Sequence, residues 1–573
     1  MFFAPLSLLA CGCIADSLEI EDPSDGQTVT GGRITPLSVT MTDPTSADDV
    51  FDSSDFDRTI SITFSPSGSA SVTGDANGIV RVNGNQVTVD NTDTAEKIIY
   101  ELRGSTSDGF FKLYSPKKQA IVLDGVSLRN PAGAAINNQS HKRTFVIVKG
   151  ANSLADGAAY TQTPDDEDEK AAFFSEGQLI FSGEGSLDVS ATGKAGITSD
   201  DYVRFMASPT VTVSSAAGHG VRGKEMIVVS DGTINVSVSG TGKKGFSSDS
   251  LVFIAGGATD IRVSGSAGTV DGELTGTAGI KADQLFWMKD GTLSVTNSGR
   301  GGKGISGDAL GYFEGGTVTV TTTGANYGSG SGSWGRGGGS SSSSDNSVSA
   351  KGIKFDGNLF FTGATVTVKC SSHEGIESKG QITVTDGVVY SYASDDAVNA
   401  ASHLVIDGGY VYAQSTGNDG LDSNGNCYIQ GGTVCAIGSG SPEVAVDANS
   451  ELGYKLYVTG GSLVAVGGLE SGASLAQTCH AASTWLKMSW YALYDDGEPV
   501  LVFKTPSSGG SSIVVSTAGD CTLKSGVSVS GGTQIWDGAG VLKGSVSGGA
   551  SVSLSQYSSG GGFGGPGGFG GRW

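Results

Sequence analysis

The sequence predicts an all-β protein, a parallel β-helix with a small C-terminal β cap or domain, and three observations predict it. A Gly-Ile-x-x-Asp or Gly-Phe-x-x-Asp motif returns at 196–200, 245–249, 279–283, 304–308 and 352–356, with Gly-Val-Arg-Gly-Lys (220–224) and Gly-Ile-Glu-Ser-Lys (375–379) in the same frame. Each copy precedes a short strand-like run, a Gly-Gly or Asp-Gly corner and a second run, without helical spacing, which is the signature of one solenoid turn. Composition agrees: 92 Gly, only 13 Pro and 16% charged residues suit short strands joined by tight corners.

In chain order, residues 1–15 read as the end of a secretory signal. MFFAPLSLLACGC is apolar, and Leu8-Leu9-Ala10-Cys11 resembles a bacterial lipobox in which Cys11 is lipidated; an ordinary signal with incidental cysteines is the alternative. The expected location is secreted or cell-surface, as a lipoprotein that meets the membrane only through its lipid. Residues 16–58, rich in Asp, Ser and Thr, read as a linker, and 59–473 as the β-helix. Within the helix, the acidic run 165–169 reads as a solvated loop and the Gly/Ser stretch 324–347 as a flexible surface loop. Alternation assigns Leu285/Trp287, Leu293/Val295, Leu310/Tyr312, Val318/Val320, Leu359/Phe361 and Val366/Val368 to the interior. Residues 474–556 are the cap that an exposed β-helix end requires, and 557–573 a Gly-rich disordered tail. Among Cys427, Cys435, Cys479 and Cys521 a disulfide is open.

The net charge of −23, with no Lys/Arg cluster, argues against nucleic acid as a partner. Carboxylates and amides recur in register in HEGIES (373–378), DDAVNA (395–400), NDGLDS (418–423) and EVAVDA (443–448), 22 to 25 residues apart. Stacked turns would place Glu374, Glu377, Asp395, Asp396 and Asn399 in one cation site and Asp419, Asp422, Glu443 and Asp447 in another. Ca²⁺ suits such an oxygen set, and the alternative is turn-capping side chains facing water. The column Asp200, Asp249, Asp283, Asp308 and Asp356 reads as structural, with the preceding Lys194, Lys244, Lys303 and Lys351 relieving its repulsion. Tyr390 and Tyr412 fall in an outward column with Tyr392 and Tyr410 beside them: either a platform for sugar rings or an ordinary aromatic ladder.

The run AIVLDGVSLRNPAGAAINNQSHKRTFVIVKGANSLADG, then AAFFSEGQLIFSGEGSLDVSATGKAGITSDDYVRF and the Gly-Ile-x-x-Asp repeats, resemble the bacterial carbohydrate-binding-domain-containing β-helix proteins known from cellulolytic clostridia. The resemblance covers roughly residues 60–470. It implies a right-handed, pectate-lyase-like β-helix with bound calcium that binds plant polysaccharides such as polygalacturonate and cellulose. The expectation is therefore a monomeric, surface-anchored protein that holds an acidic polysaccharide through Ca²⁺. One alternative is a uronate lyase, in which calcium acidifies the α-proton and Lys379 is the nearest base. Another is a structural adhesin, in which calcium only stabilises the stack.

Overall fold

The computed structural model describes residues 27 and 29–559, apart from 95, 162–163, 165–166, 329–346, 536–537 and 543. Cys11, the signal segment, most of the Gly/Ser stretch and most of the tail lie outside the described residues.

Each turn is three strands. Ala195–Ser199, Tyr202–Phe205 and Thr210–Ser215 form one, and Val221–Gly223, Met226–Val229 and Thr233–Val238 the next, paired in parallel and in register (Ile197↔Val221, Val203↔Ile227, Val211↔Ile234). Stacking turn on turn produces a sheet of 14 strands along one face and two further stacks of mostly parallel strands along the others. Among the described residues the only helical pieces are three 3-10 turns, at Ala47–Asp49, Ser53–Asp55 and Ser450–Leu452. The repeated glycine has a steric cause: a Cβ on Gly245 would sit 2.2 Å from Ile261 Cγ2 and 2.6 Å from the Gly279 carbonyl oxygen. The corners need a different property, positive φ, as at Gly257 (68°) and Gly387 (86°).

The interior is a continuous column of apolar side chains, with Phe313 and Phe361 stacked at 4.8 Å between ring centroids. Leu293, Val295, Val318, Val320, Leu359, Phe361, Val366 and Val368 lie in it as expected. Leu285, Trp287, Leu310 and Tyr312 do not. Phe286, Met288 and Phe313 point inward instead, and those four residues belong to a second apolar cluster on the outer face of the same strands. Strands such as Leu285–Met288 are apolar on both sides, so alternation cannot decide their parity; such a strand is one that something covers.

The cover is the stretch read as a linker. Described residues of 29–58 run back along the solenoid, from its C-terminal end to its first turn, with Leu37, Val39, Met41, Phe51 and Phe56 packed on the outer apolar cluster. At one end, Gln430 grips the backbone of Ile34, accepting from its N–H at 2.9 Å and donating to its carbonyl at 2.7 Å, while Arg33 pairs with Asp407 at 3.3 Å. Further along, Lys289 pairs with Asp43 at 2.6 Å, and Lys118 reaches Asp55 at 2.7 Å beside the early turns. Asp49 is the buried rivet, 1% exposed: its carboxylate meets Arg143 Nε at 2.8 Å and Arg204 Nε at 3.0 Å, and accepts from Tyr202 Oη at 2.6 Å. Burial at this position is tolerated because both oxygens face guanidinium groups.

At the other end, Ile513–Ser516 pairs antiparallel with Ser462–Val466, the last strand of its own parallel stack, and with Cys479–Ala482, which closes that edge. The six-stranded antiparallel sheet that includes Trp490–Asp495, Glu498–Lys504 and Cys521–Ser530 then folds against the solenoid. Cys370, Cys427, Cys435, Cys479 and Cys521 are all free thiols.

Candidate functional site

The expected lattice forms on the 14-stranded face. Pairing places Glu377, Asn399 and Asp422 in one row, and single bridges Leu421↔Val446↔Leu469 extend it to Asp447 and Glu470. A neighbouring row carries Lys351, Glu374, Asp396 and Asp419, two residues before Ile353, Ile376, Val398 and Leu421. The two expected cation sites are redistributed by charge.

Glu374 and Glu377 are satisfied by the protein. Lys351, whose side chain is 11% exposed, lies 3.1 Å from Glu374 and 2.5 Å from Glu377; His373 also bonds Glu374, and Lys379 bonds Glu377. Burial pushes the Glu374 carboxyl up, but His373 and Lys351 outweigh it and hold the group at about 2. Asp395 faces His373 at 3.2 Å and accepts from Asn418 Nδ2 at 2.9 Å. This half of the lattice is knotted by ion pairs, although ligand atoms of His373, Glu374 and Asp395 also lie within 4.8 Å of one another. Lys379 is half-exposed and held by Glu377, so its ammonium is already engaged where a base needs a free lone pair.

One turn further, no cation intervenes. Asp396 (5% exposed), Asp419 (7%), Asp422 and Asp447 have no Lys, Arg or His within ion-pair distance among the described residues. Ligand oxygens of Asp419, Asp422 and Asp447 lie within 4.8 Å of one another. With Ca–O bonds of about 2.3–2.6 Å, that is the separation of oxygens around one ion. Asn399 Nδ2 donates to Asp396 at 3.1 Å and to Asp422 at 2.5 Å, the Asp419 N–H donates to Asp396 at 3.1 Å, and the Val444 N–H to Asp419 at 2.6 Å. These bonds fix the carboxylates without neutralising them. Burial drives Asp419 up to about 7. Burial also raises Asp396 and Asp422, which repel one another, and Asp447, which shares a hydrogen bond with Glu470. Glu443 is half-buried and acts on Asp419 only through its charge. Hard oxygen donors, fixed and lacking a counter-ion, fit Ca²⁺. Asp396 and Asn399, assigned by spacing to the first site, join the second, and Glu470 is added.

The Asp column is structural, with partners other than those expected. Arg222 bonds Asp249 at 2.9 Å, Lys281 holds Asp283 at 3.1 Å and also Asp308, Lys354 holds Asp356, and Lys170 holds Asp200 at 2.5 Å. Of the lysines expected to relieve it, Lys194 bonds the Glu169 carbonyl and Lys351 belongs to the ion-pair knot. In the run 165–169, Glu167 folds back onto Lys112 and Tyr114 instead of standing in solvent.

The tyrosine platform is corrected. Val389 and Val411 face the interior and Tyr390 and Tyr412 face outward, stacked at 5.6 Å, but both are 1% exposed and Tyr410 is 8% exposed. Leu493, Leu501 and Phe503 of the cap cover them, leaving only Tyr392 half-exposed. They form the ladder on which the cap docks, not a surface open to sugar rings.

Among solved structures, the chain is similar to the polysaccharide lyase-like protein from C. thermocellum, solved as a gadolinium derivative, at 18% identity and a TM-score of 0.37, over 44% of this chain and 96% of that one. No curated protein matches. The family model for carbohydrate-binding domain-containing proteins matches residues 83–397 and 367–484, from the early turns through the acidic face, and the chain belongs to that carbohydrate-binding domain-containing family.

Proposed function

We propose that the protein binds an acidic plant cell-wall polysaccharide, polygalacturonate-like in its carboxylates, through calcium held at Asp396, Asp419, Asp422, Asp447 and Glu470. It does so from the cell surface, anchored at Cys11. The observation that carries the reading is the group of buried carboxylates without a protein cation, next to a knot in which Lys351 already pairs with Glu374 and Glu377. Membership in a carbohydrate-binding family supports a glycan as the partner. The strongly negative chain would repel a polyuronate, and bound calcium supplies the positive charge that bridges the two sets of carboxylates. The chain's own contribution is to hold the oxygens in place with Asn399 and backbone N–H groups before the ion arrives.

Protonation provides the test. Without metal, Asp419 stays protonated in the folded chain up to about 7, whereas the unfolded chain releases that proton near 3.8. Unfolding free energy without calcium therefore falls as pH rises from about 4 to about 7. Calcium binds the ionised form, so uptake expels protons and affinity rises with pH over the same window. Calorimetry of calcium binding at pH 6 in buffers of different ionisation heat is expected to give release of about one proton or more per ion. A buffer-independent heat, or no binding by folded protein, would sink the assignment.

A further inference from the structure

On the 14-stranded face, sign changes along the axis. The acidic half ends at the Lys351 knot, and on its N-terminal side the same two rows carry Arg222, Lys244, Lys281, Lys303 and Lys354. Arg222, Lys281 and Lys354 each have a carboxylate partner. Lys244 and Lys303 have none within ion-pair distance among the described residues; Lys244 Nζ donates only to the Gly242 carbonyl, at 2.9 Å.

These two ammonium groups are not ordinary surface lysines. Both are half-buried, and burial together with neighbouring lysines holds each down at about 8. They stand where the regular repeat is interrupted. The hairpin Gly268–Val270 with Glu273–Thr275, and the bridge Tyr327↔Val348, are insertions at the same corner of alternate turns, with the short corner 298–301 between them. A Cβ on Gly276 would lie 3.0 Å from Val348 Cγ1 and 3.5 Å from Lys303 Nζ, and one on Gly242 would lie 2.8 Å from Val270 Cγ2. The lysines thus sit at the foot of a wall built from Val270, Thr275, Gly276 and Val348. A desolvated ammonium with no protein counter-ion is costly unless an anion arrives from outside.

We propose that Lys244 and Lys303 are a metal-independent seat for the carboxylates of an acidic glycan, so that a chain lying along this face is held directly at its basic half and through calcium at its acidic half. The inference rests on the acidic-glycan reading above. Four strand spacings separate Gly302–Gly307 from Leu421–Ser423, about 19 Å at roughly 4.8 Å each, within reach of one short oligosaccharide. Apolar wall residues beside the ammonium groups suit the C–H faces of sugar rings.

The test is retardation in polygalacturonate gels with chelator, at low and high salt, with hydroxyethylcellulose gels as the neutral control. The full chain is expected to retain a salt-sensitive retardation in chelator. Lys244→Gln with Lys303→Gln should weaken it about tenfold or more, while Lys244→Arg with Lys303→Arg preserves it. Circular dichroism melting establishes that each variant is folded. Retardation in chelator that survives in the double Gln variant, or a loss matched in the neutral gel, overturns the lysine seat. Retardation seen only with calcium overturns the seat and leaves the calcium reading standing; none in either gel overturns both.

Discussion

Asp419→Asn combined with Asp422→Asn is expected to raise the melting temperature in chelator and to abolish the further rise that calcium gives the wild-type protein. The first effect follows from burial. Asp419 is held up to about 7 and Asp422 is raised by burial and by Asp395, so at pH 7.5 the metal-free fold carries charge it does not solvate. An amide keeps the bonds from the Val444 N–H and Asn399 Nδ2 through its carbonyl oxygen while removing that charge, a gain on the order of 2–4 kcal/mol. The second effect follows from linkage: calcium at a hundredfold excess over its dissociation constant contributes about 2.7 kcal/mol, all of which disappears with the ligands. Opposite signs in the two conditions separate a metal site from a merely structural cluster. A variant that melts lower in chelator, or that still responds to calcium, contradicts the assignment.

Asp49→Ala is expected to cost about 3–5 kcal/mol. It leaves Arg204, 3% exposed, and Arg143 facing a void where a carboxylate paired with both and accepted from Arg143 and Tyr202. The strap around it should loosen first, exposing the outer apolar cluster that contains Trp287 and Phe360. Denaturant unfolding followed by Trp fluorescence, with limited proteolysis near residues 41–56, reads both consequences. A loss below about 1 kcal/mol with an unchanged cleavage pattern would mean that the strap is not pinned at Asp49.

The solenoid is legible in the sequence because two periodicities coincide: alternation within strands, and glycines wherever a Cβ would strike the next turn, as at Gly245. The strap is not legible, since residues 29–58 take their order from the surface they cover and carry no period of their own. Its trace is indirect, in strands such as Leu285–Met288 that are apolar on both faces. For the site, the rows were readable but their neutralisation was not, because Lys351 reaches Glu374 and Glu377 from the preceding turn. Glu470 had a signal that spacing alone passed over: Gly468-Leu469-Glu470 repeats the frame of Gly375-Ile376-Glu377 and Gly420-Leu421-Asp422. The tyrosines were placed on the correct side of their strands, yet what lies outside a strand depends on a cap nearly 100 residues later in the chain.

The most direct measurement of the central claim is mobility of the wild-type protein in native gels cast with polygalacturonate, run in calcium and in chelator beside gels without polymer. The account predicts retardation that calcium strengthens severalfold over the weaker, salt-sensitive retardation in chelator. Equal mobility of folded protein in the two polymer gels would contradict it.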